Sequence, residues 1–586
     1  MANDIERPIN AGGNLLPEFG SDVVALALRR LGIRYISLNP GASYRGLHDS
    51  LVNFLGNNEP TMILCLHEEH AVAIAHAYAK VTGEPMAVAV HSNVGLMHAI
   101  MGIFDAWCDR VPVLVLGATG PVDAAKRRPW IDWIHTSRDQ GGLIRDFIKF
   151  DDQPASAEAA VESIYRANNI IQTIPKGPAY LNFDVTLQEM KLPNPVDVPD
   201  PARFAPAEPP RPSSDSVNAA IAALSTAKSP VILAGRVSRN RDDWDRRIEL
   251  AERLNAVVLT DHKAGASFPT DHPLYAGRVA ISSPRANEVI RGADVVLSLD
   301  WIDLAGSLSM AWPDEEVGAT VINCSSDVHG HNGWTMDHQG MAPVDIHLLA
   351  DADTSVVSLM DAGVKRDGAP IALSDVETPT LDDAPLRTAH IAHALKAALG
   401  DDDFCFVRIG GGWPDGVIKF RGPLDYMGTD GGGGIGSGPG MTVGGALALR
   451  DSARIAISIL GDGDFSMGMN ALWTAAHYSL PMLIIVANNR SYFNDEMHQD
   501  RVARIRGREP ANRWIGQRIT DPELDIVGIA ESQGLKGMGP VETLDDLHKV
   551  VAEGLDLVRA GAAVVIDARV TPIDSAAAAT QVARKT

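Results

Sequence analysis

The stretch IAISILGDGDFSMGMNALWTAAHYSLPMLIIVANNRSY, residues 455–492, holds two apolar runs, 455–460 and 482–487. Each ends on small polar residues, Gly461-Asp462-Gly463-Asp464 after the first and Asn488-Asn489-Arg490-Ser491-Tyr492 after the second. Continuous apolar runs with a helix between them are what a parallel sheet buried on both faces requires. In open sheets of this kind, ligands bind at the carboxyl ends of the strands. Glycine there lets a backbone approach a phosphate, and the following helix N-terminus favours an anion. Asp462 and Asn489 end two strands joined by one crossover, which can make them neighbours. A carboxylate, an amide oxygen, a backbone carbonyl and diphosphate oxygens form a hard-oxygen set suited to Mg²⁺. A dinucleotide fingerprint is the rival reading, but it fails where Ser466 replaces the third glycine.

The same alternation recurs along the chain. Apolar runs stand at 86–90, 111–116 and 179–183, then at 231–234, 257–260, 295–299 and 320–323. The last block adds 404–407 and 563–567. A proline-dense segment, 191–214, and a polar one, 365–386, separate the blocks. The expected architecture is α/β: three doubly wound parallel-sheet domains, at 1–190, 215–364 and 387–586. The blocks share a pattern and no evident sequence repeat.

Composition narrows the partners. The 586 residues carry a formal net charge of −23, which opposes a nucleic-acid or anionic-membrane partner. The four cysteines form no CxxC pair, so a zinc site or redox dithiol is not expected. No apolar run reaches the roughly 18 residues of a membrane span, and residues 1–10 hold no apolar signal core. A cytoplasmic enzyme acting on a small molecule is expected.

GDG followed, 27 residues after its aspartate, by the second Asn of an NN pair resembles the thiamine diphosphate family. That family includes acetolactate synthase, benzoylformate decarboxylase and oxalyl-CoA decarboxylase. The resemblance covers nearly the whole chain and implies pyrimidine-binding, middle and diphosphate-binding domains in that order. It implies Asp462, Asn489 and the carbonyl of Ser491 as Mg²⁺ ligands, with Gly461, Gly463, Asp464 and Tyr492 around the diphosphate. The family also carries an acidic residue ten positions before a Tyr-Ala pair; counting back from Tyr78 gives Glu68, not Glu69. Glu68 is thereby implied as the carboxyl group that meets the aminopyrimidine N1′ and promotes loss of the C2 proton. In the glycine-dense stretch 428–449, the family pattern makes Ile435 the wedge between the cofactor rings. The backbone near Ile409 and Gly410 is expected to face the 4′-amino group.

Three segments resemble substrate walls: Asn39 to Ser43, His91 to Asn93, and Asn494 to His498. His91 matches a proton-transfer histidine of benzoylformate decarboxylases, and its near-neutral titration suits that work. Those enzymes have a serine where Ala42 stands; Ser43 is adjacent but is expected to point elsewhere. Asn494 and Glu496 make the third wall more acidic than theirs. His67, His70, His76, His98 and His135 carry no assigned role. The middle block, with Ala234-Gly235-Arg236 and the run 261–277, shows no FAD or CoA signature.

The implied reaction is cleavage or formation of a carbon–carbon bond next to a carbonyl, foremost decarboxylation of a 2-oxo acid. Alternatives are an acetolactate-synthase-like carboligase, a CoA-linked 2-hydroxyacyl or oxalyl lyase, and a non-catalytic cofactor-binding scaffold. The substrate is a 2-oxo acid or aldehyde. The family implies a homodimer as the minimum unit and a homotetramer as the full assembly.

Overall fold

The computed structural model describes residues 6–9, 15–279, 284–327, 341–371, 385–410, 412–429 and 431–571. The second expected linker falls mostly on 372–384, outside the described residues.

Three parallel sheets follow one another along the chain. The first contains β1 (Tyr35–Leu38), β2 (Thr61–Leu64), β3 (Met86–Val90), β4 (Val113–Thr119), β5 (Phe150–Asp152) and β6 (Ala179–Asp184). The second contains β7 (Pro230–Ala234), β8 (Val257–Asp261), β9 (Tyr275–Val279), β10 (Val295–Leu299), β11 (Thr320–Cys324) and β12 (Ile346–Leu348). The third contains β13 (Phe404–Ile409), β14 (Ile455–Gly461), β15 (Met482–Asn488), β16 (Lys536–Val541) and β17 (Ala563–Arg569). Their orders are β2-β1-β3-β4-β6-β5, β12-β11-β10-β7-β8-β9 and β13-β14-β15-β17-β16. Interior strands such as β3 and β10 are buried at every residue, as sheets covered by helices on both faces require.

The first and third sheets share one strand order. Removing β2 leaves β1-β3-β4-β6-β5, which matches β13-β14-β15-β17-β16 element for element. The helix before β3, Glu68–Thr82, packs on the helix before β14, Gly438–Leu449. The approach is close: a Cβ on Gly444 would stand 2.2 Å from the Ile74 carbonyl oxygen. A continuous core joins Ile63, Val72 and Ile74 of the first domain to Met441, Val443 and Leu472 of the third. The outer edge of β2 is closed the same way. Leu64 N–H donates to the Tyr478 hydroxyl at 2.8 Å, and the Thr474 hydroxyl donates to the Leu64 carbonyl at 2.9 Å.

The middle domain joins the third through residues 264–266. Ala266 N–H donates to the Tyr426 carbonyl at 2.8 Å, and Arg278 pairs with Asp415 at 2.9 Å. Where the strand order of the middle sheet reverses, between β7 and β10, a cavity of about 860 Å³ opens toward the first domain. Lys80, Arg110, Arg236, Arg239 and Lys263 are among its lining residues. The proline-dense segment is strapped to the first domain: Val198 is buried in its core, and the Tyr165 hydroxyl donates to the Pro199 carbonyl at 2.6 Å.

Gly444→Ala is expected to force the two helices apart, because the new methyl meets a main-chain oxygen that cannot turn aside. Overpacking of this kind costs about 1–3 kcal/mol. Calorimetric melting should show a lower transition temperature; an unchanged melt would mean that the helix contact tolerates the methyl.

Candidate active site

Asp462 opens a short helix, Asp462–Gly468, directly after β14. The expected single helix is in fact two, the second being Ala471–His477. Burial pushes the Asp462 carboxyl up to about 6, opposed by its own backbone amide and those of Gly463, Ser491 and Arg490. Those amides place the loop after β15 against Asp462. The Asp462 Oδ2 atom remains buried with no hydrogen-bond partner. A buried carboxylate oxygen with no hydrogen-bond partner is chemically suited to hold a cation. Asn489 Oδ1 accepts the Ser491 N–H at 2.9 Å, which holds its amide over the loop. Arg490 takes a left-handed φ of 59°, turning the chain so that Ser491 pairs with Arg518 in an antiparallel bridge. A Cβ built on Gly461 would meet nothing within 4 Å, so the backbone there borders open space that a diphosphate would fill. On Gly463 the same atom would lie 2.5 Å from Tyr492, which packs the Tyr492 ring against the motif.

Asp464 has a different position from the one expected. Its Oδ1 accepts Gly436 N–H at 2.7 Å and Gly438 N–H at 3.2 Å, while Arg408 lies 3.3 Å from Oδ2. Arg408 also donates to the Ser437 hydroxyl at 2.6 Å. Both Asp464 oxygens are thus engaged in tying the glycine loop to the Asp462 helix. The loop's far end is pinned by Gly432 N–H donating to Asp105 at 3.0 Å. Ile435, between these anchors, is 40% exposed. Ile409 is buried at the end of β13, and Gly410 follows it.

Glu68 begins the helix Glu68–Thr82, capped by His67 through Glu69 N–H to His67 Nδ1 at 3.2 Å. Glu68 is buried, with one oxygen 3.1 Å from His98 Nδ1. His67 stacks on His98 at 5.0 Å and 17°. Ligand atoms of these three residues lie within 4.8 Å of one another. Near-parallel rings keep their in-plane lone pairs from converging on one ion, and His67 Nδ1 already accepts the cap bond. The cluster therefore suits a shared proton better than a metal. Glu69, next in sequence, turns the other way: burial and Asp464 raise its carboxyl, which places it toward the glycine loop.

The topological switch point of the first sheet lies between β1 and β3, the geometry that creates a crevice at the strand ends. The loop 39–43 and His91 sit there. Ser43, expected to point away, reaches His91: its hydroxyl lies 2.9 Å from Nδ1. Ala42 is exposed instead. His135 meets the His91 ring edge-on at 4.7 Å. Burial, then His135, lower the His91 pKa, and Glu68 acts against them.

Glu496 is not free to face a substrate. It is 2% exposed, and its Oε1 accepts from the Ser491 hydroxyl at 2.6 Å. Arg518 stands 3.4 Å from that oxygen, and Arg513 stands 3.5 Å from the other. The carboxylate latches segment 510–518 to the loop after β15. Asn494 is exposed and contacts His498 at 3.3 Å. The roles of His67, His98 and His135 were missed in the sequence, although His98 stands two helical turns beyond His91. Among the described residues, no helix is long and apolar enough to cross a membrane.

Glu496→Ala is expected to loosen segment 510–518, because Arg513 and Arg518 lose a charge-assisted partner. Tryptic cleavage within 504–518 should accelerate several-fold in the variant. Equal cleavage rates would remove Glu496 from the latch.

Profiles of the thiamine pyrophosphate enzymes match three successive stretches. The N-terminal TPP binding domain matches 19–143, the central domain 217–359 and the C-terminal TPP binding domain 411–568. Benzoylformate decarboxylase of Pseudomonas aeruginosa is 23% identical, over 90% of this chain and 93% of its own. Acetolactate synthase of Bacillus subtilis is 25% identical, covering 96% and 94%. Sulfoacetaldehyde acetyltransferase of Castellaniella defragrans is 23% identical, covering 84% of each. The structure of thiamine diphosphate-dependent 4-hydroxybenzoylformate decarboxylase from Rhodococcus jostii superposes with a TM-score of 0.77 at 23% identity, over 95% of this chain and all of that one. That superposition establishes the shared fold. With three profiles of one family in register along its length, the chain belongs to the thiamine pyrophosphate enzymes, as a thiamine diphosphate-dependent enzyme of the group that holds decarboxylases and carboligases.

Proposed function

We propose that the chain, with thiamine diphosphate and Mg²⁺, cleaves the bond between the carboxylate and the carbonyl carbon of a 2-oxo acid. The observation that carries this reading is the buried, orphaned Asp462 oxygen beside the Asn489–Ser491 loop and the open backbone at Gly461. Asp462 Oδ2, the Asn489 amide oxygen and the Ser491 carbonyl would hold Mg²⁺ and, through it, the diphosphate. Gly461 and Gly463 would line the diphosphate, and Ile435 and the Ile409–Gly410 backbone would orient the rings. Bound thiamine diphosphate supplies an electron sink for the carbanion left by decarboxylation. Glu68 holds the proton that the aminopyrimidine N1′ shares, and His98 lies within reach to exchange it. His91 is the group that protonates or deprotonates the reacting substrate.

His91, held at the switch point, favours decarboxylation over ligation. A carboligase shares every feature up to the choice of acceptor. The CoA-linked alternative draws on the basic cavity beside the middle sheet, whose Arg236, Arg239 and Lys263 suit nucleotide phosphates. The deciding experiment incubates holoenzyme with 2-oxo acids and a 2-hydroxyacyl-CoA thioester, following CO₂, aldehyde and ligation products. CO₂ and free aldehyde from a 2-oxo acid support the proposal, whereas a ligation product or turnover of the thioester alone replaces it.

Glu68→Gln keeps shape and removes the acid. Hydrogen–deuterium exchange at the cofactor C2, read by acid-quench NMR, should slow by about 10²–10⁴-fold. Glu69→Gln should leave it unchanged; the reverse result would transfer the role to Glu69. Asp462→Ala should lose Mg²⁺-dependent cofactor binding by calorimetry, and retained binding would dismiss it as a metal ligand.

A homodimer is proposed as the minimum assembly, built toward a tetramer. Leu66, Val94 and Met97, on the segments that carry Glu68 and His98, are exposed apolar side chains. If Glu68 of one subunit serves the Asp462 site of its partner, mixing Glu68→Gln with Asp462→Ala subunits should restore part of the activity. No recovery after verified subunit exchange would place both groups of a site in one chain. The free cysteines and an acidic surface suit a cytoplasmic location.

A further inference from the structure

Ser43 sits where the chain leaves β1, and His91 where it leaves β3. The two are drawn together tightly: a Cβ on Gly41 would lie 2.3 Å from the His91 Cβ. Behind them, Ser92 is fully buried in a left-handed conformation, φ 46°. That turn aims the Ser92 N–H at the Ser43 hydroxyl oxygen, 3.0 Å away. The Ser92 hydroxyl is placed by Asn93 at 2.7 Å and by the His135 carbonyl at 3.2 Å.

The Ser92 bond leaves the Ser43 hydroxyl free to donate, and the Ser43 backbone decides that it does. The Ser43 oxygen accepts from Ser92, so its own hydrogen is available for His91 Nδ1 at 2.9 Å. The Ser43 backbone N–H points at the same nitrogen from 3.4 Å and can only donate. Two donors facing Nδ1 require a lone pair there. A neutral imidazole carries one N–H, so the hydrogen must reside on Nε2, on the opposite side of the ring.

We propose that Ser43 is a positioning residue that locks neutral His91 as its Nε2–H tautomer, so that the ring presents a proton donor to the crevice at the first sheet's switch point. The catalytic consequence rests on reading His91 as the proton-transfer group; the tautomer itself does not. Protonating Nδ1 would set N–H against the Ser43 backbone N–H and forfeit the bond donated by the Ser43 hydroxyl, so the serine also resists formation of the imidazolium. His135 at the ring's edge works in the same direction, and the Glu68 charge works against it. The arrangement was invisible in sequence because Ser43 and His91 are 48 residues apart.

The test is solid-state ¹⁵N NMR of histidine-labelled holoenzyme, with His91 signals assigned by their loss in His91→Gln. Wild type should show one tautomer, unprotonated at Nδ1 and protonated at Nε2. In Ser43→Ala the imidazolium should form at a pH higher by about half to one unit, the size of one net hydrogen bond. Ser43→Thr should return the titration toward wild type, because its hydroxyl can donate to the same nitrogen. Cofactor affinity equal to wild type verifies that each variant is folded. An Nδ1–H signal in wild type, or an unmoved titration in Ser43→Ala, overturns the proposal. If titration moves as stated but turnover of 2-oxo acids does not, Ser43 keeps its tautomer control and the proton-transfer role of His91 fails.

Discussion

The contact between helices Glu68–Thr82 and Gly438–Leu449 is the constraint that fixes the first domain against the third. It is close because Gly444 sets no side chain against the Ile74 carbonyl. One helix begins with Glu68, and the other follows immediately from the glycine loop that Asp464 anchors. Their separation therefore sets how the element that carries Glu68 and the glycine loop of the same chain are held relative to each other, whichever subunit completes a site. Since each helix precedes an interior strand of its own sheet, the contact also orients β3 against β14, and with them the ends that carry His91 and Asp462. The shared strand order makes His91 and Asp462 counterparts: each follows the strand next to the first of its five-strand set. One topology thus supplies a histidine end in one domain and a carboxylate end in the other.

Charge is distributed with the same economy. Asp462 is buried with an oxygen unspent, whereas Asp464, two residues on, has both oxygens engaged. Glu68 and Glu69 show the same division. Glu68 meets His98, and Glu69 turns toward the glycine loop, where burial and then the Asp464 charge raise its pKa. Adjacent carboxylates with opposite surroundings can do separate work, one exchanging a proton and the other remaining part of the scaffold.

Most interior strands were legible because burial on both faces leaves them predominantly apolar. β3 and β10 stand where the apolar runs place them, and β4 is displaced by two or three residues. Of the strands given no apolar run, β2, β5, β9, β12 and β16 lie at sheet edges, and β1, only four residues long with Ser37 inside it, is interior. An edge strand needs only one buried side, and sequences such as Phe150–Asp152 or Lys536–Val541 show no run at all. In the site, spacing along the chain located Asp462 beside the Asn489 loop, because one crossover joins them. It could not show that Glu496 faces Arg513 and Arg518, since that depends on how a later loop folds back. Nor could it show that Ser43, rather than Ala42, turns toward the histidine; that follows from the buried left-handed Ser92.

The closure of β2 by the third domain has a consequence for how the chain is made. Leu64 offers its N–H and carbonyl outward, and their partners Thr474 and Tyr478 are encoded 410 and 414 residues later. At translation speeds of about 5–20 residues per second, those partners leave the ribosome roughly 20–80 s after β2 does. During that interval the first sheet has an unpaired edge, which is the kind of surface on which nascent chains join. Strand β2 is only four residues long, Thr61 to Leu64. Its brevity limits what can be templated there, and native pairing on that side waits until synthesis has passed residue 478.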